Sequence, residues 1–265
     1  MTSAVAQLRP TRILLHTEVG ATPLGFWWDQ FAEAHKELLQ VVEHDPVTSV
    51  YGHPVHVMAH KTDVLRLDAL YNHGGVYLDL DVLVFRDFLP ALNDHLRQHP
   101  EQDAVLIQER DGRVSLGNAI IISRPFSKFI ALWKSNYHDF NDNQWSAHST
   151  ALPRKLAQTE PGASLLHQLP STAFYNPDWD EALKDQVGSK LFLEELKPGE
   201  AGRYDFEAAG ALGWHWWGHI IARQLDTWTP CLLVAQANRT VISRLMGRYV
   251  SDELCQRWRA SQKTA

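Results

Sequence analysis

The chain has 265 residues, 45% hydrophobic and 21% charged, which is ample for a sizeable core. A net charge of −6 argues against a general nucleic-acid binder, which normally carries a basic patch. Two cysteines, Cys231 and Cys255, are too few for a disulfide framework, and neither lies in a metal-type cluster. Met1 to Pro10 lacks the apolar core of a signal peptide, and no run approaches the ~18 apolar residues of a membrane span. The expectation is a soluble, cytoplasmic protein, unless an anchor lies outside this chain; peripheral membrane contact stays open.

In chain order, Arg12 to His16 reads as a first buried strand and Thr17 to Thr22 as the loop after it. Pro23 to Gln40 has helical spacing, with Phe26, Phe31, Leu38 and Leu39 inward. Short strands are expected at Gln40 to Glu43 and Val55 to Met58, with a loop from Pro46 to Pro54. Lys61 to Asn72 reads as a helix with Thr62 at its N-cap and Asp63 in its first turn, ended by Gly74-Gly75. Helices follow at Leu89 to Gln98, Phe126 to Tyr137 and Trp145 to Leu156. Strands are expected at Ala104 to Gln108, Ala119 to Ser123 and Leu165 to Leu169. Pro170 to Gly202 is the least regular stretch, and Asn238 to Lys263 reads as helical. Strands alternating with helices indicate an α/β sandwich on a mainly parallel sheet, with ligands beyond the carboxyl ends of the strands. The ten tryptophans suit a carbohydrate or nucleotide ligand, although most are expected in the core.

The organising stretch is Gly74-Gly75-Val76-Tyr77-Leu78-Asp79-Leu80-Asp81-Val82-Leu83-Val84-Phe85. In a regular strand Asp79 and Asp81 share one face, and Val76, Leu78, Leu80, Val82 and Val84 are buried on the other. Neighbouring carboxylates repel unless something positive lies between them, and hard divalent cations prefer such oxygen ligands. This gives a metal–diphosphate site at the end of a buried strand. For a bare Asp-x-Asp, the alternative is a strand edge turning into solvent. Upstream, Asp63 and Arg66 are three apart and share one helical face. Asp68 lies off that face and reads as structural or solvated.

The block from Lys61 to Asp81 resembles the DXD-containing sugar-binding glycosyltransferases of family 32, which include yeast initiating mannosyltransferases and α-1,4-galactosyltransferases. The catalytic domains of clostridial glucosylating toxins carry a similar block. The close match covers about Ala59 to Phe88, with weaker echoes at Leu116 to Ala119, Trp145 to Pro153 and His215 to Gly218. The resemblance implies a GT-A-type, Rossmann-like nucleotide-diphospho-sugar transferase fold over residues 1–265, with an irregular insertion at about 170–202. It implies an enzyme that moves a hexose from a UDP- or GDP-sugar to a hydroxyl on a glycan, lipid or small molecule, with Mn²⁺ or Mg²⁺ and with retention.

By the same resemblance, Asp79 contacts the donor's ribose or sugar and Asp81 binds the metal directly, while Asp63 and Arg66 take sugar hydroxyls and phosphate. His16 and Thr17 stand where the family places the nucleobase and ribose. Asn118 stands near the acceptor side, with a plain turn residue as the alternative. Trp145, His148 and Ser149 line the donor or acceptor pocket; relatives with Thr-Gly-Pro here differ from this chain's Thr150-Ala151-Leu152-Pro153. His215, in the Trp/Gly-rich segment Gly213 to His219, completes the metal shell or binds diphosphate, and His219 is a weaker candidate. Two rivals remain. One is a non-catalytic sugar- or nucleotide-binding protein of the same fold. The other is a phosphatase of the haloacid dehalogenase type, whose Asp-x-Asp instead belongs on the chain's first strand.

Overall fold

The computed structural model describes residues 1–109, 115–176, 195, 197, 205–218, 228–237 and 239–263. Most of the segment expected to be irregular, about 170–202, therefore lies outside the described residues, as does His219. Helix α1 (Thr2–Leu8) leads into β1 (Ile13–Glu18), α2 (Phe26–Ala34), β2 (Leu39–His44), and a small hairpin, β3 (Ser49–Val50) and β4 (His53–Pro54). Then come α3 (Met58–His73), β5 (Gly75–Leu78), β6 (Val82–Val84), α4 (Leu89–Gln98), β7 (Ala104–Gln108), β8 (Leu116–Ser123) and α5 (Lys128–Ser135). A π-helical turn, Ala147–Ala151, runs into α6 (Leu152–Leu156). α7 (Gly162–Leu165), β9 (Leu166–Leu169) and β10 (Gly213–His215) follow, and the chain ends in α8 (Pro230–Ala235), α9 (Val241–Met246) and α10 (Asp252–Ser261).

This is a mixed α/β protein. Its four-stranded sheet has the order β5-β8-β7-β9, and β1 pairs with β2 separately. The expected mainly parallel sheet needs correction. β1–β2 and β7–β9 pair in parallel, whereas β8 runs antiparallel to both of its neighbours, β5 and β7. β5, β7 and β9 therefore point the same way, and β8 is inserted against them. The cause is connectivity: only seven residues separate the end of β7 from the start of β8, too few for the crossover that a parallel return requires. The amino-terminal end of β8, with Asn118, is thereby brought to the carboxyl end of β5, with Asp79.

The sheet's faces are filled as its apolar runs require. On one side Leu67 and Leu70 of α3 and Phe129, Ile130 and Trp133 of α5 pack on Ala104, Leu106, Leu116 and Ile121. On the other, Leu92 and Leu96 of α4 pack with Val105, Ile107, Ile120 and Phe174. Each fully buried aliphatic side chain contributes about 1.5–3 kcal/mol. β6 leaves the main sheet and pairs antiparallel with β10, with His215 opposite Val82. α9 covers that pair through Val241, Ile242 and Leu245.

Several local expectations are corrected. The helix expected from Lys61 begins at Met58, and Val55 to Met58 is not a strand. Thr62 is not its cap but lies inside the helix, its hydroxyl donating to the Met58 carbonyl at 3.2 Å; just ahead of the helix, Asp142 Oδ2 accepts from the His56 and Val57 N–H groups at 2.9 and 3.3 Å, and its Oδ1 lies 2.7 Å from His60 Nδ1. Asp142 is more than 80 residues away from these groups in sequence, beyond any local capping signal. The strand through Asp79 and Asp81 is broken by a turn in which Val82 N–H donates to Asp79 O at 3.2 Å. Leu80, expected to be buried, is 69% exposed at its tip. Finally, Cys231 and Cys255 form a disulfide that joins α8 to α10.

Candidate active site at the Asp79–Asp81 turn

The site is built around a buried arginine. Arg66 and Asp63 sit one turn apart on α3, each about 6% exposed, with Nη2 3.3 Å from Asp63 Oδ1. Arg66 Nη1 lies 3.4 Å from Asp79 Oδ1 and donates to the Asn118 carbonyl at 2.5 Å. Asn118 closes the circuit, its Nδ2 donating to Asp63 Oδ1 at 2.8 Å. The guanidinium lies 4.7 Å over the Tyr77 ring, and the Tyr77 hydroxyl donates to Asp79 Oδ1 at 2.6 Å. Tyr77 and Asp79, two apart, point the same way because strand side chains alternate. Burial opposes the charge on Arg66, but Tyr77, Asp79 and Asp63 more than restore it and hold it as a cation. Burial also lifts the Asp63 carboxyl above its ordinary range against the pull of Arg66.

Asp81 is held from the other side of the turn. Its Oδ1 lies 3.3 Å from His215 Nε2, and its Oδ2 accepts from the Gly218 N–H at 2.7 Å. Burial raises the Asp81 carboxyl, but His215 and the Gly218 N–H outweigh it, leaving the group below its ordinary range. Trp217, which precedes Gly218, has φ +48°, a conformation that costs a bulky residue energy and is kept only where the surroundings enforce it. A Cβ on Gly218 would stand 3.3 Å from Asp81 Oδ2, so glycine allows this close approach.

Three potential ligand atoms, one each from Asp79, Asp81 and His215, lie within 4.8 Å of one another. His215 is 8% exposed, and its Nδ1 is buried without a hydrogen-bond partner. Two carboxylates and an imidazole with an orphaned nitrogen suit a hard or borderline divalent cation such as Mg²⁺ or Mn²⁺. The His215 ring is walled by Trp217 at 4.7 Å and by the edge of Tyr175 at 5.5 Å, centroid to centroid.

The structure thus gathers Asp63, Arg66, Asn118, Asp79, Asp81 and His215 into one group. The other sequence candidates take different partners. His16 Nδ1 meets His44 Nε2 at 2.6 Å, while the Thr17 hydroxyl is buried and unpartnered. Glu18, the last residue of β1, reaches Lys61 at 3.7 Å, so β1 ends beside the amino-terminal half of α3. Trp145 is 65% exposed, its carbonyl held by His60 Nε2 at 3.1 Å. His148 and Ser149 are buried in the π-helical turn. The His148 ring lies against Tyr137 and Phe140, and its carbonyl accepts from the Trp133 indole.

Sequence reading missed three contributors. Tyr77, within the organising stretch, carries no sequence signal for its hydrogen bond to Asp79. Gly218 lies in the flagged Trp/Gly segment, but its N–H contact with Asp81 is invisible in sequence. Tyr175 is 2% exposed, and its hydroxyl fills the space where a Cβ on Gly117 would stand, 2.1 Å away. The Leu-Gly-Asn run was therefore a readable signal for a close approach, without naming the partner.

The Asp-x-Asp turn of this mixed α/β fold lies within a segment that matches a known family. Residues 13–103 match the family described as the glycosyltransferase sugar-binding region containing the DXD motif. The whole chain is similar to glucan organizing enzyme 1 of Cryptococcus neoformans var. grubii, 30% identical over 267 residues. That alignment takes in 98% of this chain and 66% of the relative, so the chain spans just under two thirds of the relative's length. The matched segment takes in both Asp79 and Asp81.

Proposed function

We propose that the protein is a metal-dependent glycosyltransferase that moves a hexose from a UDP- or GDP-sugar to an acceptor hydroxyl with retention, on a GT-A-type fold. The observation that carries this reading is the convergence of Asp79, Asp81 and His215 beside the buried Arg66 cation. Asp81, Asp79 and His215 would hold Mn²⁺ or Mg²⁺. Such an ion neutralises a diphosphate and improves it as a leaving group.

The chain's own residues supply the rest. Arg66 offers a fixed positive charge where phosphate and sugar meet, and Asp63 accepts from the sugar's hydroxyls. Tyr77 and Arg66 fix the Asp79 carboxylate, which leaves its other oxygen for the donor. His215 and Gly218 orient Asp81 before any ligand arrives, so little reorganisation is needed on binding. His16 and Thr17 receive the base and ribose at the end of β1, and Asn118, Trp145, His148 and Ser149 border the donor or acceptor. In the transfer, the acceptor oxygen bonds to the anomeric carbon as the sugar–phosphate bond breaks, and the departing diphosphate takes the acceptor's proton. The similarity to a glucan organizing enzyme supports a glycan acceptor.

The test is thermal stabilisation by a panel of UDP- and GDP-sugars, each with Mn²⁺ and with EDTA. A ligand that binds only the native state raises its apparent stability. The expected result is a metal-dependent shift with one base, lost in Asp81→Ala, and slow donor hydrolysis that identifies the sugar. No shift with any donor in a folded sample would overturn the reading.

A further inference from the structure

A second concavity lies on another face of α3. A cavity of about 290 Å³ is lined by Ser49, Val50 and Tyr51 of the β3–β4 hairpin, Val64, Leu67 and Asp68 of α3, and Lys134 and Tyr137 at the end of α5. None of the residues grouped around Arg66 lines it. Its size is near the lower end for small-molecule sites, enough for one or two sugar rings.

Three features mark it as more than a packing gap. The first is Tyr51. The two-residue hairpin loop Tyr51-Gly52 has φ +48° and +83°, so both residues are left-handed, as in a type I′ turn. The first of those positions favours Asn, Asp or Gly. An aromatic residue is strained there, and strain of this kind points to a role for the side chain. Tyr51 is nevertheless 61% exposed at the cavity, so packing does not explain its presence. The hairpin is fixed in place, because His53 Nε2 meets the His138 carbonyl at 2.9 Å.

The second feature is Tyr137, which lines the cavity. It is 2% exposed, and its hydroxyl is buried with no hydrogen-bond partner. That hydroxyl is closed off from the cavity, which therefore meets Tyr137 through its ring. The third is the ion pair between Lys134 and Asp68, which puts a donor and an acceptor side by side on the wall. The rest of the lining is Ser49 and the apolar Val50, Val64 and Leu67.

A free aromatic face, an apolar floor and adjacent donor and acceptor groups match a neutral ring with an apolar face and a hydroxylated rim. We propose that this cavity is a saccharide-binding subsite that holds a hexose unit of a glycan, separate from the transfer site on the Asp63/Arg66 face of α3. Tyr51 stacks on the sugar face. Asp68 accepts from, and Lys134 donates to, neighbouring hydroxyls, and the Tyr137 ring lies under the sugar. The inference rests on the glycosyltransferase reading only in its role, which is to anchor a long glycan acceptor; binding is a property of the cavity itself.

The experiment is a titration of the full chain with maltohexaose and with laminarihexaose, followed by NMR or calorimetry, alongside metal-dependent donor hydrolysis. One of the two oligosaccharides should bind. Tyr51→Ala should weaken it about tenfold, the equivalent of one lost stacking contact, and Asp68→Asn should weaken it less. Donor hydrolysis should be unchanged in both variants. If the wild-type chain binds neither oligosaccharide, or if Tyr51→Ala binds as well as wild type, the subsite is overturned. Intact donor hydrolysis in that case leaves the transferase reading standing, whereas oligosaccharide binding without donor turnover would sink the transferase reading and keep the subsite.

Discussion

The two halves of the site are assembled in different ways. The Arg66 half is local: Asp63 and Arg66 lie on one helix, and Tyr77 and Asp79 lie on the strand that follows it. Only Asn118 comes from farther along the chain, 52 residues beyond Arg66. Its charges are buried and cross-braced, each carboxylate meeting the same guanidinium. The Asp81 half is long-range. His215 and Gly218 reach it across more than 130 residues, through the β6–β10 pairing and a strained Trp217. The first half is rigid because charges neutralise one another. The second half depends on how well the carboxy-terminal layers are held.

The sharpest way to break the comparison is Arg66→Ala. It would leave Asp63 and Asp79 facing each other, partly buried, without their cation. Breaking a buried ion pair from one side costs about 3–5 kcal/mol, and urea unfolding should show a loss of that order. Donor binding should weaken too, while some metal response remains through Asp81 and His215. If stability were unchanged, the charge bracing assigned to Arg66 would be wrong.

The Asp81 half is probed through its supports. The double substitution Cys231→Ser with Cys255→Ser frees α8 from α10 and should cost about 2–4 kcal/mol, read as a lower Tm. Dithiothreitol should lower the wild-type Tm similarly and leave the double variant unchanged. Disulfides persist in oxidising compartments, so this pair bears directly on the cytoplasmic expectation. Gly117→Ala drives a methyl group into the buried Tyr175, an overpacking worth about 1–3 kcal/mol. Because Tyr175 borders His215, Mn²⁺ affinity should fall with it. Unaltered metal binding would separate Tyr175 from the site.

The mildest effect serves as a control outside both halves. His167 of β9 packs against His95 of α4 at 3.7 Å between centroids, and His95 against His99 at 4.5 Å. Gln102 and Glu101 face His95 and His99. Burial, then the two neighbouring histidines, lower the His167 pKa from 6.5. The unfolded chain therefore binds more protons below about pH 6.5, and stability falls as pH drops through that range. His167→Asn should flatten the Tm profile between pH 7.5 and 5.5, with donor binding untouched. A profile as steep as that of the wild type would remove His167 as a source of the acid sensitivity.

These contrasts explain what was legible. Asp63 and Arg66 share a face by helical spacing, and Asp79 and Asp81 were marked by the Asp-x-Asp pattern and its family resemblance, although a turn rather than a strand period sets how those two sit. His215 was flagged by its unusual Trp/Gly setting and proved to be beside Asp81. The pairing of β8 with β5 and the Asp142 contacts just ahead of α3 depend on partners distant in sequence. No local pattern encodes them.

By itself the sequence determined the elements and the chemistry: an apolar α3, a Gly-Gly stop, a short strand and two carboxylates beside an arginine. Those follow from periodicity and side-chain type, which act over a few residues. Only the tertiary structure decided that His215 and Gly218 meet Asp81, that Tyr175 fills the space over Gly117, and that Cys231 meets Cys255. Strand pairing and core packing select those contacts by burying the apolar surface of the whole chain, and that is a global condition.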